Sequence, residues 1–262
     1  MLNNPVARDS FVDGTIQRSG SFNVETNPPT SAAGAPNGDY GCWCSESSVW
    51  SILWDVYDNV ADTNDTVALG FTPIWNVLAS SQRNTPAFTT IFSFITALKA
   101  QNSGSATAIN TLVAAQNIDA TSIDIYGTSE THSPTLVPAT AALPVYKLAT
   151  VGAPGVVVRT SDDAGRHNKL GDRRFVRFTL STTKNLTITA SSSNPNTPDT
   201  DFRVYRNGVF VTSATSPPAP TEQATLSNAQ PGEYLIDLFD CANGCDSPEG
   251  TPGDYDLTVT VN

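Results

Sequence analysis

Histidine is scarce in this chain, and methionine is confined to its first residue. The 262 residues hold 2 histidines, 4 cysteines and 1 methionine. Neither His132 nor His167 has another histidine four positions away. A His-Glu-x-x-His helix, which sets two imidazoles on zinc one turn apart with a glutamate as general base, therefore cannot be assembled. The many serines include no Gly-x-Ser-x-Gly elbow, and there is no glycine-rich phosphate loop. Long apolar runs are absent as well: none approaches the roughly 20 residues that span a bilayer. Basic residues are few. With 14 Lys and Arg against 25 Asp and Glu, the net charge is −11, which excludes the basic footprint that nucleic acid or an anionic membrane surface requires. The opening residues, Met1–Asp9, carry neither the basic n-region nor the apolar h-region of a signal peptide.

What is present is Ser, Thr, Asn, Ala, Gly and Pro, with 39% hydrophobic and only 15% charged residues. Such chemistry suits short-stranded, turn-rich structure in an extracellular setting, and the length allows two domains. Charge is shared unevenly: residues 1–140 hold 4 basic and 12 acidic side chains, residues 141–262 hold 10 and 13. With an exported composition and no export signal at its start, the chain is expected to be a fragment whose signal would lie in an upstream part. Cys241 and Cys245 close a tight Cys-Ala-Asn-Gly-Cys loop, which fits a local disulfide in an oxidising compartment. A zinc knuckle there would need two further soft ligands. Cys42 and Cys44, separated by one residue, are awkward partners for each other.

The first half is read as helical. Residues 1–40 show little periodicity and are expected to form an irregular segment. From Val49 the apolar residues Val49, Ile52, Leu53, Val56, Tyr57 and Val60 recur at helical spacing, with Trp50 and Trp54 as a second stripe. This predicts a core helix built on Val49, Trp50, Ile52, Leu53, Trp54 and Val56, with Ser45 or Ser47 as its cap. Asp62, Asn64 and Asp65 invite a calcium reading, but an EF-hand needs Gly at its sixth position, where Val67 stands, so an acidic turn is expected. Thr72-Pro73 and Thr85-Pro86 mark two helix starts. The second helix should run to about Asn102 on Phe88, Ile91, Phe92, Ile95 and Leu98. Ala106–Gln116 forms the fourth helix, presenting Ile109, Leu112 and Val113, and the four together predict a helical bundle. The stretch Ser133–Pro144 has linker composition, so the boundary is set at 140.

The second half alternates in twos. Val176, Phe178 and Leu180 oppose Phe175, Arg177 and Thr179; Leu186, Ile188 and Ala190 form the next strand. Phe202–Tyr205 and Val209–Val211 flank Asn207-Gly208, a type I′ hairpin signal. Tyr234, Ile236, Leu238 and then Tyr255, Leu257, Val259, Val261 complete an antiparallel β-sandwich.

Two stretches carry resemblances. Glu46–Asp58, in the pattern Glu-x-x-Val-Trp-x-x-Leu-Trp-Asp-x-Tyr, resembles the helix that packs beneath the zinc-binding helices in secreted gluzincin-type (fungalysin- or thermolysin-like) metallopeptidases. Asn168–Phe178, Asp199–Gly208, Pro231–Tyr234 and Gly253–Val259 resemble the bacterial pre-peptidase C-terminal domain, a small sandwich appended to secreted peptidases. Together they imply a multidomain α plus β protein: a partial metallopeptidase helical subdomain (1–140), then a sandwich (141–262).

On that reading the chain is the C-terminal portion of a secreted zinc metallopeptidase. Catalytic and metal-ligating residues are none in this chain, zinc belongs to the complete parent enzyme, and the partners are the missing N-terminal half and protein or peptide substrates. The other reading is a standalone extracellular module whose sandwich contacts protein or polysaccharide. His132 is expected to be a solvated loop residue, and His167, among Arg166, Asn168 and Lys169, to lie in a loop or at a strand edge. The pairs Asp162-Asp163 and Asp199/Asp201 are expected to hydrogen-bond turns.

Overall fold

The computed structural model describes residues 6–13, 16–25, 46–58, 65–84, 89–122, 124–129, 146–160, 173–194, 198–216, 218–245 and 251–262. The chain divides into two compact units, Met1–Arg83 with Thr89–Ile125, and Asn84–Phe88 with Tyr126–Asn262.

The first unit is mixed rather than purely helical. Strands β1 (Val6–Asp13) and β2 (Ile16–Asn23) pair antiparallel, Val6 opposite Asn23 and Asp13 opposite Ile16. The irregular segment expected here is thus a two-stranded sheet in part. Its alternating positions are mostly small or polar, so no apolar period announced it. Helix α1 (Glu46–Tyr57) follows; Ser47 lies inside it, and Ser45 lies outside the described residues.

Helix α2 (Phe71–Asn76) starts after Gly70, whose φ of 74° is a conformation that glycine adopts without a Cβ penalty. The start therefore precedes the expected Thr72 cap, and Pro73 sits in the first turn, where its missing N–H costs nothing. The helix continues as a π-helical segment, Val77–Gln82. Helix α3 (Ile91–Gln101) begins at Thr90 rather than at Thr85-Pro86. Thr90 accepts from the Ser93 N–H, and Ser93 Oγ accepts from the Thr90 N–H at 3.1 Å, a reciprocal capping box. Residues 85–88 lie outside the described residues. A short 3₁₀ turn, Ser103–Ser105, leads into α4 (Ala106–Ala115). One apolar cluster ties these helices together, centred on Ile52, Val56, Val77, Ile95, Leu98, Ile109 and Val113.

The second unit has two sheets. The five-stranded one runs β3 (Tyr146–Leu148), β5 (Arg173–Leu180), β10 (Gly232–Asp240), β7 (Thr200–Arg206), β8 (Val209–Ala214). The four-stranded one runs β4 (Val156–Thr160), β11 (Tyr255–Val261), β6 (Lys184–Ser192), β9 (Thr221–Ala229). All pairings are antiparallel except β3 on β5. A single apolar cluster draws from both sheets, including Val176, Phe178, Ile188, Phe202, Val204, Ile236, Leu257 and Val259. This is the packing of a β-sandwich, in which the inward residue of each alternating pair supplies the core. Asn207 and Gly208 both have positive φ, 47° and 78°, as a type I′ turn requires, and Arg206 pairs Val209 across it.

Candidate functional site

Three features of the described residues carry chemistry, and the expected core helix is the place to begin. Ile52 and Val56 are fully buried, but Val49, Leu53, Trp50 and Trp54 are only partly so. The buried row is Ser48, Ile52 and Val56, one residue per turn, with Ser51 beside it. Helical spacing alone put Val49 and Leu53 at the centre; two serines take that share of the face. Trp54 Nε1 donates to Glu25 Oε2 at 2.7 Å, which fixes the indole at the helix edge. Along α2 and the π-helical segment after it the apolar residues also separate: Ile74 and Val77 are buried, whereas Phe71, Trp75 and Leu78 are 47%, 56% and 47% exposed. Phe71 and Trp75 stack with centroids 6.2 Å apart.

Carboxylates of Glu25, Asp55 and Asp65 converge within 4.8 Å of one another, a set able to accept a divalent cation. Asp65 also accepts from the Val67 N–H at 2.7 Å. Of the expected acidic turn, Asp62 and Asn64 lie outside the described residues, as do His132, His167, Asp162, Asp163, Cys42 and Cys44.

The second feature is an open groove of about 500 Å³ at one side of the sandwich. Strands β8 and β9 are the terminal strands of their sheets, and both line it. The register passes from Val204–Thr212 to Tyr205–Phe210, leaving Val211 out of the pairing. This bulge turns three consecutive apolar side chains outward: Val209, Phe210 and Val211 are 69%, 55% and 40% exposed. Arg206, Thr225 and Asn228 supply polar groups along the same groove. The sequence places Val209–Val211 as one arm of the Asn207-Gly208 hairpin but carries no sign that all three side chains face outward.

The third feature is the acidic end of the sandwich. Asp199, Asp201, Glu222 and Asp240 are all buried there, at 5%, 8%, 5% and 0% exposure. Asp199 and Asp201, expected as turn formers, are therefore buried carboxyls. Asp240 caps the short helix α5 (Cys241–Gly244), accepting from the Ala242 N–H at 3.0 Å and from Ser192 Oγ at 2.7 Å. Cys241 and Cys245 are joined in a disulfide. Asn243 pins the loop beyond it, donating to Thr160 Oγ1 at 3.1 Å and exchanging two bonds with Gly253. Burial pushes the Asp201 carboxyl up to about 7, and the neighbouring charges of Asp199, Glu222 and Asp240 add to it while Arg203 opposes.

On the outer face of the five-stranded sheet, Arg177 is clamped between Glu233, at 2.7 Å, and the ring of Tyr126, at 3.2 Å from its centroid. Arg173 pairs with Asp237 at 2.7 Å. Tyr146 stacks on Phe175, and its burial raises the phenol well above its ordinary value. These ion pairs occupy cross-strand positions on β5 and β10, so their work is sheet cohesion.

No family model and no curated protein matches the chain. Among solved structures it is similar to the pre-peptidase C-terminal domain of a collagenase from Bacillus anthracis, at 13% identity over 45% of this chain and 94% of that one, TM-score 0.32. It is also similar to a periplasmic inhibitor of g-type lysozyme from Escherichia coli, at 13% identity over 45% and 97%, TM-score 0.27. A carbohydrate-binding module solved with calcium and xylotriose matches at 21% identity over 40% and 78%, TM-score 0.22.

Proposed function

We propose that this chain is a non-catalytic part of a secreted protein, and that its sandwich holds extended polypeptide in the groove between β8 and β9. The observation that carries the reading is the outward row Val209, Phe210 and Val211 beside that groove. Edge strands of soluble domains are ordinarily blunted with charge, and a contiguous exposed apolar patch marks an interaction site. Polypeptide suits the groove better than polysaccharide. Sugar rings stack on broad open aromatic faces, and of the two rings that line the groove among the described residues only Phe210 is open, Tyr234 being 2% exposed. The full chain should bind unfolded casein in fluorescence anisotropy, and Phe210→Ser should weaken binding about tenfold. Retention on insoluble xylan or chitin with no binding of casein contradicts the reading.

The gluzincin-like Glu46–Asp58 pattern supports a parent of a particular kind, a zinc metallopeptidase whose zinc-bearing half lies outside these residues and whose substrates are proteins or peptides. The exposed Phe71 and Trp75 on α2, with Leu78 just beyond it, favour this over a standalone module, because they offer an apolar row for that half to cover. The chain by itself should then cleave no casein and hold no stoichiometric zinc. One tightly held zinc per chain with chelator-sensitive cleavage would sink this parentage, and a first unit that binds no hydrophobic dye would favour the standalone module.

A further inference from the structure

The disulfide at the acidic end lies against a carboxyl group that has capacity to spare. An oxygen of Asp201 and the sulfurs of Cys241 and Cys245 all lie within 4.8 Å of one another. Asp201 is 8% exposed, and its Oδ1 has no hydrogen-bond partner. Two of its acidic neighbours are committed elsewhere: both oxygens of Asp240 accept bonds, from Ser192 and Ala242, and Glu222 Oε1 accepts from the Ser216 N–H at 3.1 Å. The two cysteines also differ in exposure, Cys241 being buried and Cys245 half-buried.

We propose that Cys241–Cys245 is an exchange-competent disulfide for small-molecule thiols, in which Asp201 donates the proton that the departing Cys241 sulfur needs. A thiolate attacks Sγ of Cys245, the more exposed of the two cysteines, and forms a new sulfur–sulfur bond there. The Cys241–Cys245 bond breaks, and its electron pair goes to Cys241 Sγ, which takes the proton from the Asp201 carboxyl directly or through one water. Asp201 is reprotonated from solvent. A second thiol then attacks the mixed disulfide, leaving both cysteines reduced and the thiol oxidised to its own disulfide.

The donor matters because of where the leaving sulfur sits. An unprotonated Cys241 would be a buried anion among Asp199, Asp201, Glu222 and Asp240, with Arg203 as the cation acting against them. Burial, helped by the charges of Asp199, Glu222 and Asp240, keeps Asp201 protonated to about pH 7, so the proton is available where thiols begin to ionise.

The test uses the full chain with reduced glutathione from about pH 5 to about pH 9, bracketing the carboxyl and thiol ranges. Samples are quenched by alkylation and digested, and the peptide carrying Cys241 and Cys245 is quantified by mass, with circular dichroism confirming the fold. The rate constant per glutathione thiolate should fall as pH rises through about 7, and the first adduct should be on Cys245. Asp201→Asn should lower that constant about tenfold and remove the break. Asp199→Asn, which removes one of the charges raising the carboxyl, should move the break to lower pH. If Asp201→Asn does not fold, Asp199→Asn decides alone. An Asp201→Asn protein with the unaltered rate and profile, a break unmoved by Asp199→Asn, a first adduct on Cys241, or reduction only on unfolding would each overturn the proposal.

Discussion

A buried carboxyl surrounded by other carboxylates is held in place by its own proton, and Asp201 makes that a measurable property. Its folded value, about 7, lies above the ordinary 3.8, so the folded protein binds this proton more tightly than the unfolded chain. The stabilising contribution is complete below the ordinary value and is lost as pH rises through about 7, to an extent of a few kcal/mol on the linkage relation. Thermal melts of the full chain should therefore show the sandwich transition falling between about pH 5 and about pH 8, and Asp201→Asn should flatten the fall. A transition that rises over this interval, with Asp201→Asn rising equally, would remove Asp201 as its cause. In the first unit, Ile52→Ala should cost about 2–5 kcal/mol, the range for a large buried side chain, and Leu53→Ala less, because Leu53 is only partly buried. Denaturant unfolding of the two variants checks the order; an equal cost would put Leu53 back in the buried row.

Elements differed in how plainly the residues announced them. Those with a clean period and a strong punctuating residue were legible: the β7–β8 hairpin from Asn207-Gly208, the central strands β5, β10 and β11 from apolar alternation, and α4 from its Ile109–Leu112–Val113 face. Gly208→Val should weaken the hairpin by about 1 kcal/mol or more, since its φ of 78° suits no β-branched residue, and chemical denaturation measures it. Strands β1, β2, β3, β4 and β9 were not read as strands. β9 alternates Glu222, Ala224 and Leu226 inward, so its period is hidden in small and acidic residues. The groove was hidden for a related reason: a bulge, not composition, turns Val209, Phe210 and Val211 to solvent together. Likewise, that Ile74 of α2 and Val77 just after it are buried while Trp75 stays open depends on which neighbours the helix meets. Trp75→Gln should accordingly leave the melting of the first unit nearly unchanged and reduce binding of a hydrophobic dye; a loss comparable to Ile52→Ala would mean the ring is part of the core.

At the scale of the whole molecule, two compact units carry separate apolar clusters, one among helices and one between sheets. Among the described residues no helix is long and apolar enough to cross a membrane. Two histidines in the whole sequence leave no His-Glu-x-x-His centre, and the proposed contact with extended polypeptide rests on the open edge between β8 and β9. Its most direct test is a photo-crosslinking amino acid placed at Phe210 in the full chain, irradiated with labelled unfolded casein, with the same group at Val157 as control. Val157 is 46% exposed on β4, at the opposite edge of the four-stranded sheet. The polypeptide-groove account predicts a casein adduct from position 210, competed by unlabelled casein, and none from position 157. Equal adducts from both positions, or an adduct from 157 alone, would contradict it.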